Sequence, residues 1–115
     1  DLDLVELHDA FSHEELLCYE EMGLCDVGDC KKLVQDKYCE YGGRTPFNLS
    51  GGLLSLGHPL GASGARVVVD VVRQLRHEAD PGIQIADPKV GFCQMLGGLL
   101  YGRSGEAVYT GIIKK

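Results

Sequence analysis

The sequence lacks the features of several large classes of protein. Its 11 basic residues form no cluster and are outnumbered by 17 acidic ones, for a formal net charge of −6. A nucleic-acid surface built on phosphate contacts is therefore not expected. No apolar run approaches the roughly 20 residues that cross a bilayer, and the acidic, alternating first residues resemble neither a signal peptide nor a transit peptide. The sequence predicts no nucleic-acid partner, no membrane and a cytoplasmic location.

The cysteines lack the pattern of a metal site or of a disulfide scaffold. There are five, an odd number, with no CxxC pair and no zinc-site spacing. Five thiols cannot all pair with each other, so free cysteines in a reducing compartment are the simpler interpretation. We therefore predict no metal site and no covalently bound cofactor.

What the sequence contains is typical of a single small domain. Hydrophobic residues make up 44% and charged residues 24%, a balance that supports a buried core. Periodicity predicts these elements in order: a strand over 2–7, a helix from Ser12, a loop over 25–60 with a helical turn near 31–36, a helix over 62–79, and strands over 89–96 and 107–113. This order predicts an α/β fold.

Some details of these elements can be compared directly with a structure. Ser12 and Glu15 have the spacing of a capping box at the start of the first helix. The longer helix carries an apolar face that we expect to be buried, made of Ala65, Val68, Val69, Val72 and Leu75. The glycine-containing segments 97–98 and 102–105 predict the turn of a terminal antiparallel hairpin.

The segment GHPLGASG, residues 57–64, is the densest candidate site. Its glycines match neither the dinucleotide-binding pattern nor a phosphate-binding loop with its lysine. Glycines before a helix let the backbone approach a ligand, and free N–H groups there favour an anion. Pro59 stiffens the backbone at His58, which suits a general base or an oxyanion donor. The alternative is a packing turn in which His58 only caps the helix.

Other candidates are weaker on pattern alone. His8 ends the first predicted strand, where Asp9 could orient its ring or cap the helix, and a satisfied buried histidine is the alternative. Cys93 lies inside a predicted strand, where a lone cysteine is usually a small core residue. The remaining histidines and tyrosines of note are expected on helix surfaces or in packing: His13, His77, Tyr38, Tyr41, Tyr101 and Tyr109.

Four motifs together resemble the C-terminal part of the thiolase superfamily, in the branch of sterol-carrier-protein-2-type thiolases and their thiolase-like relatives. They are VELHDAF at 5–11, ELLCYEEMGLC at 15–25, YGGRTPFNLSGG at 41–52 and GHPLGASG at 57–64. The resemblance runs from residue 1 to about Gly98. It implies an α/β fold that is the C-terminal portion of a thiolase-like fold, with a mixed sheet and a buried helix, incomplete on its own.

The resemblance also implies a reaction and the residues for it. Thiolases carry out Claisen condensation, or the thiolysis of a 3-ketoacyl-CoA, so a coenzyme A thioester is the expected substrate. His58 and His8 are expected to be catalytic at the oxyanion, with Cys93 as the acid/base thiol. The residues expected to bind substrate or coenzyme A are Asn48, Ser50, Gly51, Gly52, Gly57, Gly61 and Ser63.

Two departures from the family pattern leave alternatives open. The HDCF motif of many sterol-carrier-type thiolases is HDAF here, with Ala10 at the thiol position, and Cys93 lacks the glycine two residues later. If no thiol takes part, two other functions become credible. One is a retro-aldolase acting on a CoA thioester, of the steroid side-chain type. The other is a non-catalytic subunit that binds coenzyme A or lipid.

The resemblance places the acylated cysteine in an N-terminal half outside this chain. We therefore expect an acyltransferase that is inactive without that half. Apolar surface on this chain should be covered by the missing half, by a partner subunit or in a homodimer. An OB-fold protein is the expected partner if the chain is an aldolase, and the peroxisome is the alternative location if the source is eukaryotic.

Overall fold

The computed structural model confirms a mixed α/β fold. It describes residues 1–100 and 103–115, and the side chains outside residues 98–106. The elements are β1 (Leu4–Glu6), α1 (Ser12–Glu21), α2 (Cys30–Gln35), α3 (Gly52–Leu56), α4 (Ser63–Arg76), β2 (Val90–Leu100) and β3 (Arg103–Lys114). The predicted order is confirmed, with one addition, because α3 lies inside the segment 25–60 that was expected to be loop.

The strands form one open sheet in the order β1-β2-β3. β1 pairs with β2 in parallel, with Val5 opposite Phe92. β2 pairs with β3 in the predicted antiparallel hairpin, and Phe47 bridges the other side of β1. The short β1 therefore has neighbours on both sides, which fixes where its last residues point. Among the described residues, no helix is long and apolar enough to cross a membrane.

The prediction that Gly97 and Gly98 form the hairpin turn is wrong, because both belong to β2. The ladder instead shifts register between Gly97 and Leu99, as at a β-bulge. Glycine at such a shift allows the strand to continue past an irregular pair. The second predicted turn segment, 102–105, is also wrong in part, because Arg103, Ser104 and Gly105 belong to β3, while Gly102, like Tyr101, lies outside the described residues.

Two apolar clusters pack on opposite faces of the sheet. Because side chains alternate along a strand, the neighbours Leu4 and Val5 face opposite ways. The cluster beneath α4 consists of Leu4, Leu53, Val67, Val71, Leu75, Cys93 and Met95. The cluster on the other face consists of Val5, Leu7, Tyr19, Leu33, Cys39 and Phe47. β1 is thus buried on both faces.

The predicted buried face of α4 is wrong in part. The helix buries apolar side chains four residues apart: Val67, Val71 and Leu75. Three residues expected inside are exposed: Ala65, Val68 and Val69. The reason lies in the sheet, since a Cβ on Gly91 would lie 2.4 Å from Val71 Cγ1. The missing side chain lets α4 approach β2 closely at Val71, and this contact decides which valines face inward.

Backbone geometry sets two helix ends that the residue pattern placed elsewhere. α1 begins after Phe11, whose N–H donates to Glu14 Oε2 at 3.0 Å. The capping box from Ser12 to Glu15 is therefore wrong. α4 ends where His77 adopts the left-handed conformation, with φ 59°, before the Asp-Pro-Gly segment that was expected to stop it.

Candidate active site

An open, largely apolar cavity of about 840 Å³ lies where the N-terminal end of α4 faces β2 and β3. Its wall includes the side chains expected to be catalytic: His8, His58 and Cys93. Gly61 and Ser63 of the expected binding residues also line it, whereas Gly57 lies beside it in the bend. Residues from three separate parts of the chain therefore meet at one cavity.

His8 is held at the end of β1 by two other elements. Its backbone N–H donates to Gln94 Oε1 of β2 at 3.0 Å. Its ring Nδ1 lies 3.2 Å from Glu14 Oε2 of α1. Only 9% of the residue is exposed, and that part faces the cavity. The residue is therefore buried and anchored, and it still borders the space where a ligand would bind.

His58 lies in a bend that depends on glycine. Gly57 and Gly61 have φ values of 82° and 84°, in the left-handed region that favours glycine. His58 Nδ1 lies 2.8 Å from Ser63 Oγ in the first turn of α4, and that hydroxyl donates to the Pro59 carbonyl oxygen at 3.1 Å. Because the Ser63 hydroxyl proton is directed at the Pro59 carbonyl oxygen, Ser63 Oγ accepts a hydrogen bond from His58 Nδ1–H. The His58 proton is therefore on Nδ1, and Nε2 carries the lone pair.

Cys93 lies in β2 on the cavity wall, and it is buried. Its Sγ donates to the Gly111 carbonyl oxygen at 3.6 Å. Burial raises the pKa of the Cys93 thiol, which disfavours the thiolate. In this state the sulfur is suited to giving a proton rather than to attacking a carbonyl. Cys93 therefore lies in a strand, as predicted, and on the wall of the cavity. Its role as an acid/base thiol stays a prediction.

Asn48 is placed away from the cavity that holds the histidines. Its Oδ1 accepts the Leu7 N–H at 2.8 Å, and its Nδ2 donates to Glu15 Oε2 at 2.7 Å. Its backbone is left-handed, with φ 47°. It borders a second cavity of about 580 Å³ between α1, α2 and the loop before α3. Both ends of its amide are therefore used to hold β1 against α1.

Ser50 is also used within the structure. Its backbone N–H and its hydroxyl donate to the Glu6 carboxyl group, at 3.1 Å and 2.8 Å. Burial raises the pKa of Glu6 to about 7. The two Ser50 hydrogen bonds lower this pKa in part. The charge of Asp70 raises it slightly, and the charge of Arg66 lowers it slightly. A buried acid that titrates near neutral pH therefore lies directly behind the loop.

Gly51 and Gly52 form the turn that starts α3, with φ values of 101° and 60°. A Cβ on Gly52 would lie 1.9 Å from Asp9 Oδ2. Asp9 Oδ1 accepts the Leu53 N–H at 2.6 Å. Asp9 thus anchors α3, and no hydrogen bond joins it to the His8 ring within the described residues. The expected role of the residues 48–52 in substrate binding stays a prediction.

Sequence reasoning missed three parts of this site. Glu14 was noted only as a first-turn acid, and Gln94 and the contact between Ser63 and His58 were not foreseen. Helical geometry could have predicted that Glu14 lies near His8. Glu14 is in the first turn of α1, six residues after His8, and only a short turn separates the two. The Gln94 contact depends on the parallel register of β1 and β2, which no local pattern encodes.

Within the described residues, no group of three or more His, Cys, Asp or Glu side chains is placed to hold a metal ion.

The Thiolase C-terminal domain-like family matches residues 1–109. The chain belongs to this family. The thiolase-like domain shares 43% identity over 99 residues with the benzoylsuccinyl-CoA thiolase subunit BbsB of Thauera aromatica, covering 85% of this chain and 26% of that protein.

Two other relatives of the thiolase-like domain extend the comparison. Sterol carrier protein 2 of Bos taurus is 48% identical over 90 residues, covering 75% of this chain and 17% of that protein. The solved structure "Ltp2-ChsH2(DUF35) aldolase" matches with a TM-score of 0.69 at 29% identity, covering 82% of this chain and 23% of that chain. The chain thus spans about a quarter or less of the length of these relatives.

Proposed function

We propose that this domain supplies the histidine half of a thiolase-type active site that acts on a coenzyme A thioester, in Claisen condensation or in thiolysis of a 3-ketoacyl-CoA. One observation carries the proposal. The His8 and His58 rings come from separate segments of the sequence and meet with their centroids 5.1 Å apart, at an apolar cavity large enough for an acyl group. If the segment 57–64 served only as a packing turn, neither histidine ring would need to lie at a cavity.

The geometry suits the charge that such a reaction develops. A Claisen step passes through an enolate and a tetrahedral oxyanion, and both are stabilised by fixed N–H donors in a site with little water. His58 has its Nδ1 occupied by Ser63, so Nε2 can accept a proton from a thiol and later return it as N–H. When its ring is protonated, His8 would supply Nε2–H as a second donor to the same oxygen.

Cys93 is proposed as the proton donor to the carbanion or leaving group. Its thiol lines the same cavity, and burial keeps it protonated. The acylated cysteine and the remaining walls of the site are proposed to come from an N-terminal half or from a partner subunit. All five cysteines are free, which supports a reducing compartment such as the cytoplasm.

Substitution of His58 tests the proposal. In the complete protein, His58→Ala should lower thiolysis by about 10²- to 10⁴-fold, the usual contribution of a general acid–base group. His13→Ala is the matched control, because His13 is exposed on α1. The thermal melt of both variants should match that of the unchanged protein. Full turnover in His58→Ala would defeat the assignment.

A retro-aldolase acting on a CoA thioester is the second candidate. It is favoured by Ala10, which stands at the family's thiol position, and by the similarity to the solved "Ltp2-ChsH2(DUF35) aldolase". An OB-fold partner would then be expected. Cys93→Ala separates the two functions, because a thiolase that uses this thiol should lose activity by about 10²-fold or more. Near-normal carbon–carbon cleavage in that variant would favour the aldolase.

A further inference from the structure

Glu14 borders the candidate cavity without belonging to any residue set predicted from the motifs. It lies in the first turn of α1, and its side chain is 22% exposed. Its Oε2 atom accepts the Phe11 N–H at 3.0 Å and lies 3.2 Å from His8 Nδ1. One carboxylate oxygen therefore serves both the start of a helix and an imidazole at the cavity.

The contact with His8 is one of charge rather than of a directed hydrogen bond. The His8 Nδ1 atom is buried and has no hydrogen-bond partner among the described residues, although Glu14 Oε2 lies 3.2 Å away. A negative oxygen this close to a buried ring nitrogen stabilises a proton on that nitrogen. The Phe11 N–H, which donates to the same oxygen, holds the carboxyl group in this place.

The surroundings of His8 leave Glu14 as the group that decides the tautomer. The other ring in contact is His58, which approaches edge to face. Gln94 Oε1 accepts the His8 backbone N–H, and among the described residues no hydrogen bond joins Gln94 to the ring. Within the part of the chain that the structure describes, His8 Nε2 takes part in no hydrogen bond. The protein therefore acts on Nδ1 and leaves Nε2 for a ligand.

We propose that Glu14 is a positioning residue that keeps a proton on Nδ1 of His8 and thereby fixes Nε2 as the atom that meets the substrate oxygen. The inference deepens the proposed function and rests on it for the identity of the substrate. In the neutral ring, Nε2 then carries the lone pair. In the protonated ring, Nε2–H is a cationic donor, and Glu14 balances the charge from the far side of the imidazole.

The decisive variant is Glu14→Gln. Glutamine keeps an oxygen that can accept the Phe11 N–H, so the start of α1 is preserved while the negative charge at His8 is removed. Glu15→Gln is the matched control. It makes the same chemical change one residue later, at a carboxylate that binds Asn48 and not the cavity.

The first readout is the ¹⁵N NMR signature of the His8 ring in the full chain, identified with a His8→Asn variant. The unchanged protein and Glu15→Gln should show His8 with Nδ1 protonated, whereas Glu14→Gln should show a mixture of the two tautomers. An unchanged signature in Glu14→Gln, or the same change in both variants, would overturn the inference. This measurement needs no activity, so it is independent of the proposed reaction.

The second readout is the kinetics of the complete protein. Glu14→Gln should lower kcat by about 10-fold or more with little change in KM, because a wrong tautomer impairs the chemical step rather than binding. Glu15→Gln should leave kcat within about twofold. A mixed tautomer with full kcat would remove Glu14 from the mechanism. Absence of thiolase activity in the unchanged protein, with the NMR result intact, would count against the proposed function alone.

Discussion

The ring of His8 stands nearly perpendicular to the ring of His58, with 5.1 Å between the centroids and an interplanar angle of 79°. Neither ring is free to turn, because Glu14 lies beside Nδ1 of the first and Ser63 bonds Nδ1 of the second. In both residues it is Nδ1 that faces a protein group, by a charge contact in His8 and by a hydrogen bond in His58. The opposite nitrogens are therefore the pair that a substrate oxygen or thiol can use.

The serine that holds His58 gives the first prediction. Ser63→Ala should lower kcat by about 10- to 100-fold, since a hydrogen bond to an ionisable ring contributes about 1.5–3 kcal/mol. Stability should change little, because the Pro59 carbonyl oxygen keeps two backbone donors, from Ala62 and Ser63, each at 3.1 Å.

Steady-state kinetics and a thermal melt of the complete protein measure both effects. Ser55→Ala is the control, since Ser55 is exposed on α3. Equal kcat values in the two alanine variants would show that Ser63 does not position the ring.

The buried Glu6 predicts an unusual dependence of stability on pH. Its pKa is raised from 4.5 to about 7, so the folded state binds the proton more tightly than the unfolded state. The free energy of unfolding is therefore highest below the unfolded pKa and falls as pH rises from about 4.5 to about 7, by about 3 kcal/mol from this residue. Above that range its contribution is constant.

Urea denaturation at about pH 5 and about pH 8 checks this behaviour. Glu6→Gln keeps the shape of the side chain and an oxygen that accepts the Ser50 N–H, while its amide NH2 can donate to the Ser50 hydroxyl oxygen. Because glutamine cannot ionise, the loss of stability between the two pH values should be smaller by about 2–3 kcal/mol. Other titrating groups are common to both proteins and cancel in the difference. An identical loss in both would mean that Glu6 is already ionised at the lower pH.

The close approach of α4 to the sheet predicts that Gly91 cannot be enlarged. A Cβ there would lie 2.4 Å from Val71 Cγ1 and 3.2 Å from Leu4 Cδ2. Gly91→Ala should therefore cost about 1–3 kcal/mol through overpacking. Gly97→Ala is the control on the same strand, because among the described residues nothing lies within 4 Å of a Cβ at that position.

The free energies of unfolding of the two variants, measured in denaturant, decide this prediction. The control should stay within about 0.5 kcal/mol of the unchanged protein. A Gly91→Ala variant as stable as the control would show that α4 can move away from the sheet at little cost.

Local sequence was a good guide wherever one residue type had one plausible use. The alternation from Leu2 to Leu7 indicated β1, and GHPLGASG located the bend that holds His58. The site failed to follow from the sequence where side chains serve distant backbone. The family resemblance assigned Asn48 and Ser50 to substrate binding, and that role stays a prediction. Their bonds to Leu7 and Glu6 in the structure did not follow from the local sequence.

The face of α4 could not be predicted for a different reason. Several valines follow one another from Val67, so helical periodicity permits more than one apolar face. The choice is made by Gly91, twenty residues after Val71 and on another element. Helix caps were missed similarly, since Phe11 is not a residue type that pattern rules place at a helix start.

The four residues from Glu6 to Asp9 are each fastened to a different anchor. Glu6 holds Ser50, the Leu7 N–H reaches Asn48, the His8 N–H reaches Gln94, and Asp9 receives the Leu53 N–H. A deletion or insertion here would shift every later residue off its anchor at once and turn the imidazole to the opposite side of the sheet. The length of this stretch is therefore fixed by four separate hydrogen-bond partners at once.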